Sequence, residues 1–226
     1  MTTSLPKTLR LTALGALCAF TQLALAGNLT VVVTDKEGRP VPDAVVVIVP
    51  TDKTALPRSP LSKDATINQE KMQFIPAVSL VATGAKIRLV NNDPWNHHVK
   101  SSPGGVNQFN TTKVAFEVVL EGKPEGKAAK FVDVTLDSPG VVTANVLGCL
   151  IHGSMRGFMF VSDSPWAAKT GANGAASFEN LPDGASQVKV WQADQLIDLP
   201  PQTVQINATS AISTFQLSVT PRRRRS

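Results

Sequence analysis

The sequence predicts an all-β protein, and three observations carry that expectation. Apolar residues come in short runs of about four to eight, rich in Val and Thr, and no long segment has a helical period. The 15 Gly and 16 Pro tend to fall between those runs, where turns belong. At 226 residues, 42% hydrophobic and 17% charged, the chain has room for one large or two small cores and is not disordered by composition.

Residues 1–26 read as a secretory signal. Lys7 and Arg10 supply positive charge, Leu11 to Ala26 an apolar run, and Ala24-Leu25-Ala26 a small-x-small cleavage site. The run is shorter than a membrane span needs and is interrupted by Thr and Gln, so no span is expected after its removal. Cys18 follows Leu17, which is a poor lipidation box. Cleavage would leave Cys149 as the one remaining thiol, so no internal disulfide is expected in an oxidising compartment. Loss of Lys7 and Arg10 takes the formal charge from +5 to +3, and residues 221–226 form a basic tail with Arg222 to Arg225. Scattered cations without interleaved aromatics exclude a nucleic-acid surface.

Leu29 to Val33 and Ala44 to Val49 read as strands around a turn with Gly38, Pro40 and Pro42. Residues 51–65 read as a linker. Gln73 to Pro76, Ser79 to Ala82, Lys86 to Asn91, Phe116 to Leu120, Phe131 to Leu136, Val141 to Leu147 and Phe158 to Val161 follow as short strands, with Ser101 to Gly105 as a loop. After Pro165, Val188 to Trp191, Val204 to Ile206 and Ile212 to Val219 read as further strands.

The chemistry concentrates in two motifs. Cys149-Leu150-Ile151-His152-Gly153-Ser154-Met155 places a thiol, an imidazole and a thioether on one short turn. Asn91-Asn92-Asp93-Pro94-Trp95-Asn96-His97-His98-Val99 supplies the other two of the three His in the chain. Thiolate, two imidazoles and a distant thioether are the donors of a blue-copper site; zinc held by the Cys and two His is the alternative. Neighbours on a strand point to opposite faces, so His97 and His98 are not both expected at one metal; His97 shares the side of Val99. Asp93 reads as a turn residue and Met159 as strand packing. Trp166 and Trp191 fit core or interface packing better than carbohydrate platforms. No Gly-rich phosphate loop or nucleophile elbow is present.

On these motifs, residues 66–162 resemble the cupredoxins, especially plastocyanin and amicyanin. The short His-to-Met spacing is amicyanin-like, and Met72 to Pro76 resembles exported methylamine-utilisation-type members. The resemblance implies a Greek-key β-sandwich with copper on His97, Cys149, His152 and Met155, and places His98 where the family has an Asn that braces the Cys loop, so His98 either braces that loop or faces solvent. The turn at Asp35 to Asp43, with Asn180-Leu181-Pro182-Asp183-Gly184 later, resembles a smaller carboxypeptidase-regulatory-like (transthyretin-like) β-sandwich; Gly171 departs from that pattern. The layout this suggests is 27–60 as the first strands of that sandwich, 66–162 as an inserted copper domain and 165–220 as the remainder. Two consecutive domains are the alternative.

The function implied is one-electron transfer by one mononuclear type 1 copper ion in the periplasm. Its partner would be a redox protein such as a c-type cytochrome or a periplasmic dehydrogenase. Copper carriage without a redox partner, and a scaffold with structural copper, are the alternatives. A site with saturated ligation gives no reason to expect an enzyme. Leu147, Leu150, Phe158 and Trp95 are expected to keep water from the metal.

Overall fold

The computed structural model describes residues 27–52, 60–103, 115–136 and 143–222. The signal segment, part of the linker and all of the basic tail after Arg222 lie outside the described residues, as do residues 141 and 142 of one expected strand. The described chain is all-β, as the sequence predicts, with sixteen strands and no helix among the described residues.

Four sheets stack as two pairs. The first pair contains β1 (Gly27–Thr34), β2 (Val45–Pro50), β12 (Trp166–Lys169), β13 (Ala175–Leu181), β14 (Gly184–Trp191), β15 (Gln202–Ile206) and β16 (Ala211–Gln216). Its sheets run β13-β1-β16 and β12-β2-β14-β15. Strand β1 pairs antiparallel with β13 and parallel with β16, so the start of the described chain is hydrogen-bonded to its end. Between these sheets lie Leu29, Val31, Val33, Ile48, Phe178 and Phe215. Buried Leu29, Val31 and Val33 alternate with the more exposed Asn28, Thr30, Val32 and Thr34 along β1, so that strand buries one face.

The second pair contains β3 (Asp64–Glu70), β4 (Gln73–Ile75), β5 (Val78–Ala82), β6 (Lys86–Asn91), β7 (His97–Pro103), β8 (Phe116–Leu120), β9 (Lys130–Thr135), β10 (Thr143–Cys149) and β11 (Arg156–Ser162). Its sheets run β5-β11-β10-β7-β8 and β4-β3-β6-β9. Ile67, Phe74, Ile87, Leu89, Val99, Leu147 and Met159 fill the space between them. The outer face of β5, β11 and β10 is covered in turn by the first pair. There Val45, Val47, Val78, Ala144 and Phe160 form a buried cluster, and Trp191 packs edge-on to Phe158 and tilted against Phe160, with ring centres 5.6 and 5.5 Å away. Lys169 ties the seam, donating to Asp43 at 2.8 Å and to the Val78 carbonyl at 3.0 Å. Trp166 is buried in the core of the first pair, and Trp191 packs at the seam.

Two expectations are corrected. The segment before Thr66 is not all linker, because β3 begins at Asp64 and pairs in parallel with β6. Ser101 to Pro103 of the expected loop are strand instead, because β7 continues to Pro103 along β10 and β8, and the rest of that expected loop lies outside the described residues.

Candidate metal centre

Register brings the donors together. Cys149 ends β10 opposite Val99 of β7, and His97 opens β7 two residues earlier on the same inward side. The chain then turns back: Leu150 N–H donates to the His98 carbonyl at 2.9 Å, and Met155 N–H to the His152 carbonyl at 3.0 Å. That turn swings His152 over Cys149. Cys149 Sγ lies 3.7 Å from His97 Nδ1 and 3.6 Å from His152 Nδ1, and the two Nδ1 atoms are 3.1 Å apart. The rings meet edge to face, 70° apart.

These donors fit a metal ion. A triangle with sides 3.1, 3.6 and 3.7 Å has a centre about 2.0 Å from each corner, close to the usual length of a metal–imidazole bond. His97, Cys149 and His152 are the one group of three or more His, Cys, Asp or Glu side chains among the described residues whose donor atoms converge this way. His97 and Cys149 are buried and His152 half-buried. Met155 is buried in the same apolar cluster as Cys149. Met159 packs in the core on β11. His98 points to the outer face, where its Nε2 sits 2.8 Å from Glu117.

Asp93 does more than the turn role the sequence suggests. It is buried, and its carboxylate lies 2.9 Å from His97 Nε2 while accepting the backbone N–H groups of Lys71 at 2.6 Å and Met72 at 3.0 Å. A carboxylate accepts only, so it fixes the proton on Nε2 and turns the Nδ1 lone pair toward Cys149 and His152. Burial works to raise the Asp93 carboxyl, but the Met72 N–H, the His97 ring and the Lys71 N–H outweigh it and hold the group below the ordinary aspartate value.

The loop carrying Asp93 is itself braced. Asn91 donates through Nδ2 to the carbonyls of Trp95 and Glu121, each at 2.9 Å, and accepts the Asp93 N–H at 3.0 Å. Lys123 N–H donates to the Asp93 carbonyl at 2.7 Å. Gly122 donates to Asn96 at 2.8 Å, and a Cβ at Gly122 would lie 2.3 Å from the Pro94 oxygen, so only glycine lets these loops approach.

The expected water shield is corrected. Leu147 is buried beside Cys149, but Leu150 and Trp95 are 57% and 42% exposed, and Phe158 faces the seam with Trp191. Strand alternation and the outward turn at Leu150 and Ile151 put those side chains elsewhere.

No family model matches the chain, and no curated protein matches its sequence. Among solved structures, it is similar to reduced auracyanin from Roseiflexus castenholzii at 18% identity, over 45% of this chain and 98% of that one, with a TM-score of 0.34. It is similar to a purple cupredoxin from Nitrosopumilus maritimus at 18% identity, over 44% and 100%, with a TM-score of 0.30. It is also similar to amicyanin from Paracoccus versutus at 20% identity, over 51% and 97%, with a TM-score of 0.30.

Proposed function

We propose that this chain is an exported type 1 copper protein that carries single electrons. The observation that supports it is the triangle of one thiol sulfur and two imidazole nitrogens, half sealed from solvent. A thiolate with two imidazoles suits copper or zinc; the thioether of Met155, buried in the same cluster, favours copper. Bound copper would supply a one-electron couple between its cuprous and cupric states. His97, Cys149, His152 and Met155 would hold the ion. Asp93 would keep His97 from rotating, so the donor positions change little between the two states. His152, half-buried, would be the port facing a partner such as a c-type cytochrome or a periplasmic dehydrogenase. We also read residues 66–162 as a copper domain inserted into a smaller sandwich formed by 27–60 and 165–220.

Adding Cu(II) to the apoprotein tests the reading. The expected result is intense visible absorption and an EPR spectrum with narrow copper hyperfine splitting. A colourless Cu(II) adduct, or equal preference for zinc with no redox response, overturns it.

A further inference from the structure

Gly148 leaves a notch in the outer face of the sheet, one peptide bond from Cys149. Its register partners are Lys100 on β7 and Arg156 on β11. Partners in register share a face, and Cys149 points inward, so Lys100, Gly148 and Arg156 form one row on the outside. The two cations therefore flank the glycine about 5 Å to either side, one strand spacing each. A Cβ added at Gly148 meets nothing within 4 Å, so the space above it is open. Lys100 is half-buried and Arg156 exposed, and no ion pair to either is found among the described residues. Glu117, opposite Lys100, has its carboxylate turned to His98 at 2.8 Å.

On the other sheet, Lys86 and Arg88 are both neutralised by Asp133, at 2.9 and 2.8 Å. The row at Gly148 thus combines two cations that form no ion pair among the described residues with a gap in the side-chain layer. Further along β10, Ala144 is buried in the seam between the two pairs of sheets, so the open shelf ends there. At its other end lie the exposed Leu150 and Ile151 of the metal-side turn.

We propose that this row is a docking point for a carboxylate-bearing surface of the redox partner. Acidic side chains of that partner would lie over Gly148 between Lys100 and Arg156, beside the strand that ends in the thiolate. It is a lateral approach, separate from the His152 end, and it rests on the electron-transfer reading above. Opposite charges at exposed positions add little affinity individually, but two set against one notch fix orientation and raise the encounter rate.

The test is an NMR titration of the full chain, without metal, using a hexaglutamate peptide and, separately, inorganic phosphate. The expected result is amide shifts centred on Lys100, Gly148 and Arg156 with the peptide, and about tenfold weaker binding after Lys100→Glu with Arg156→Glu. Lys189→Glu, on an exposed strand position of the other pair of sheets, should leave the titration unchanged. Shifts centred on residues 121–130 or on the Arg222 tail, equal binding by the double variant, or phosphate acting as well as the peptide overturn the proposal. Because no metal is present, these outcomes are independent of the copper reading. In the copper-loaded protein, reduction by the hexacyanoferrate(II) anion should slow about tenfold in the double variant, with its colour unchanged. An unchanged rate counts against docking, whereas a loss of colour counts against the metal site.

Discussion

Replacing Asp93 separates the metal centre from the scaffold that aims it. The wild-type carboxylate accepts three N–H donors, at 2.6, 2.9 and 3.0 Å. Those of Lys71 and Met72 are partly buried, so water takes them over at a cost of roughly 0.5–1 kcal/mol each. His97 is fully buried, and its bond to a charged acceptor has no substitute, so its loss costs about 1.5–3 kcal/mol. Asp93→Ala should therefore destabilise the apoprotein by about 2.5–5 kcal/mol, a large part of an ordinary domain's stability. Asp93→Asn keeps the shape and one acceptor, and should cost about 1–2 kcal/mol. The amide, however, can donate to Nε2, which moves the ring proton to Nδ1 and points it at the metal position. Metal affinity of the Asn variant should then fall by about 10–100-fold, more than its stability loss alone implies. Urea unfolding of the apoprotein and a chelator competition measure the two quantities. An Asn variant with wild-type affinity would show that the carboxylate does not set the His97 tautomer.

Cys149→Ser should abolish the intense colour of the copper form while leaving the fold, as read by visible absorption and far-UV circular dichroism. Gly122→Ala should destabilise the apoprotein by about 1–3 kcal/mol in chemical unfolding, because its Cβ would run into the Pro94 carbonyl. Gln69 is buried with neither side-chain atom hydrogen-bonded, so Gln69→Leu should be neutral or stabilising by about 1 kcal/mol in the same assay. Asp133, held low by the Arg88 and Lys86 side chains, and Asp93 both have depressed folded-state pKa values. Their contribution is therefore fully present above the unfolded aspartate value of about 3.9 and is lost as pH falls below it, so the urea midpoint should be flat near neutrality and drop below about pH 4.

The convergence of His97, Cys149 and His152 was legible because its information is local. The Cys149-to-His152 spacing dictates one tight turn, and strand alternation alone separates His97 from His98. Strands with dense β-branched or apolar alternation were also legible: β6 and β8 have the bounds that the sequence suggests. Strand β3 was not, because its inward positions carry Gln69 beside Ile67, and a buried polar residue breaks the alternation that marks a strand. The end of β7 hid for the same reason, since Ser101 is buried with no partner for its hydroxyl. Asp93 was invisible as a positioning residue because its donors come from a hairpin more than twenty residues upstream. Within the loop an Asp before Pro reads as a turn; only the fold shows two N–H groups and an imidazole aimed at it.

The sheet β5-β11-β10-β7-β8 ties these features to one register. Along β10, Leu147 and Cys149 point into the core, while Gly148 points out between Lys100 and Arg156. On β11, Met159 points in, while Phe158 and Phe160 point out onto Trp191. A slip of one residue between β10 and β11 would exchange the two faces of the moving strand at once. If β10 slipped, Cys149 would leave His97. If β11 slipped, the seam would lose both aromatic contacts to Trp191. The seam therefore does more than join two pairs of sheets. By burying Ala144 of β10 together with Phe160 of β11, it opposes a slip of either strand, including the one that would draw the thiol away from the imidazoles, so variants that weaken the seam should weaken metal binding from a distance.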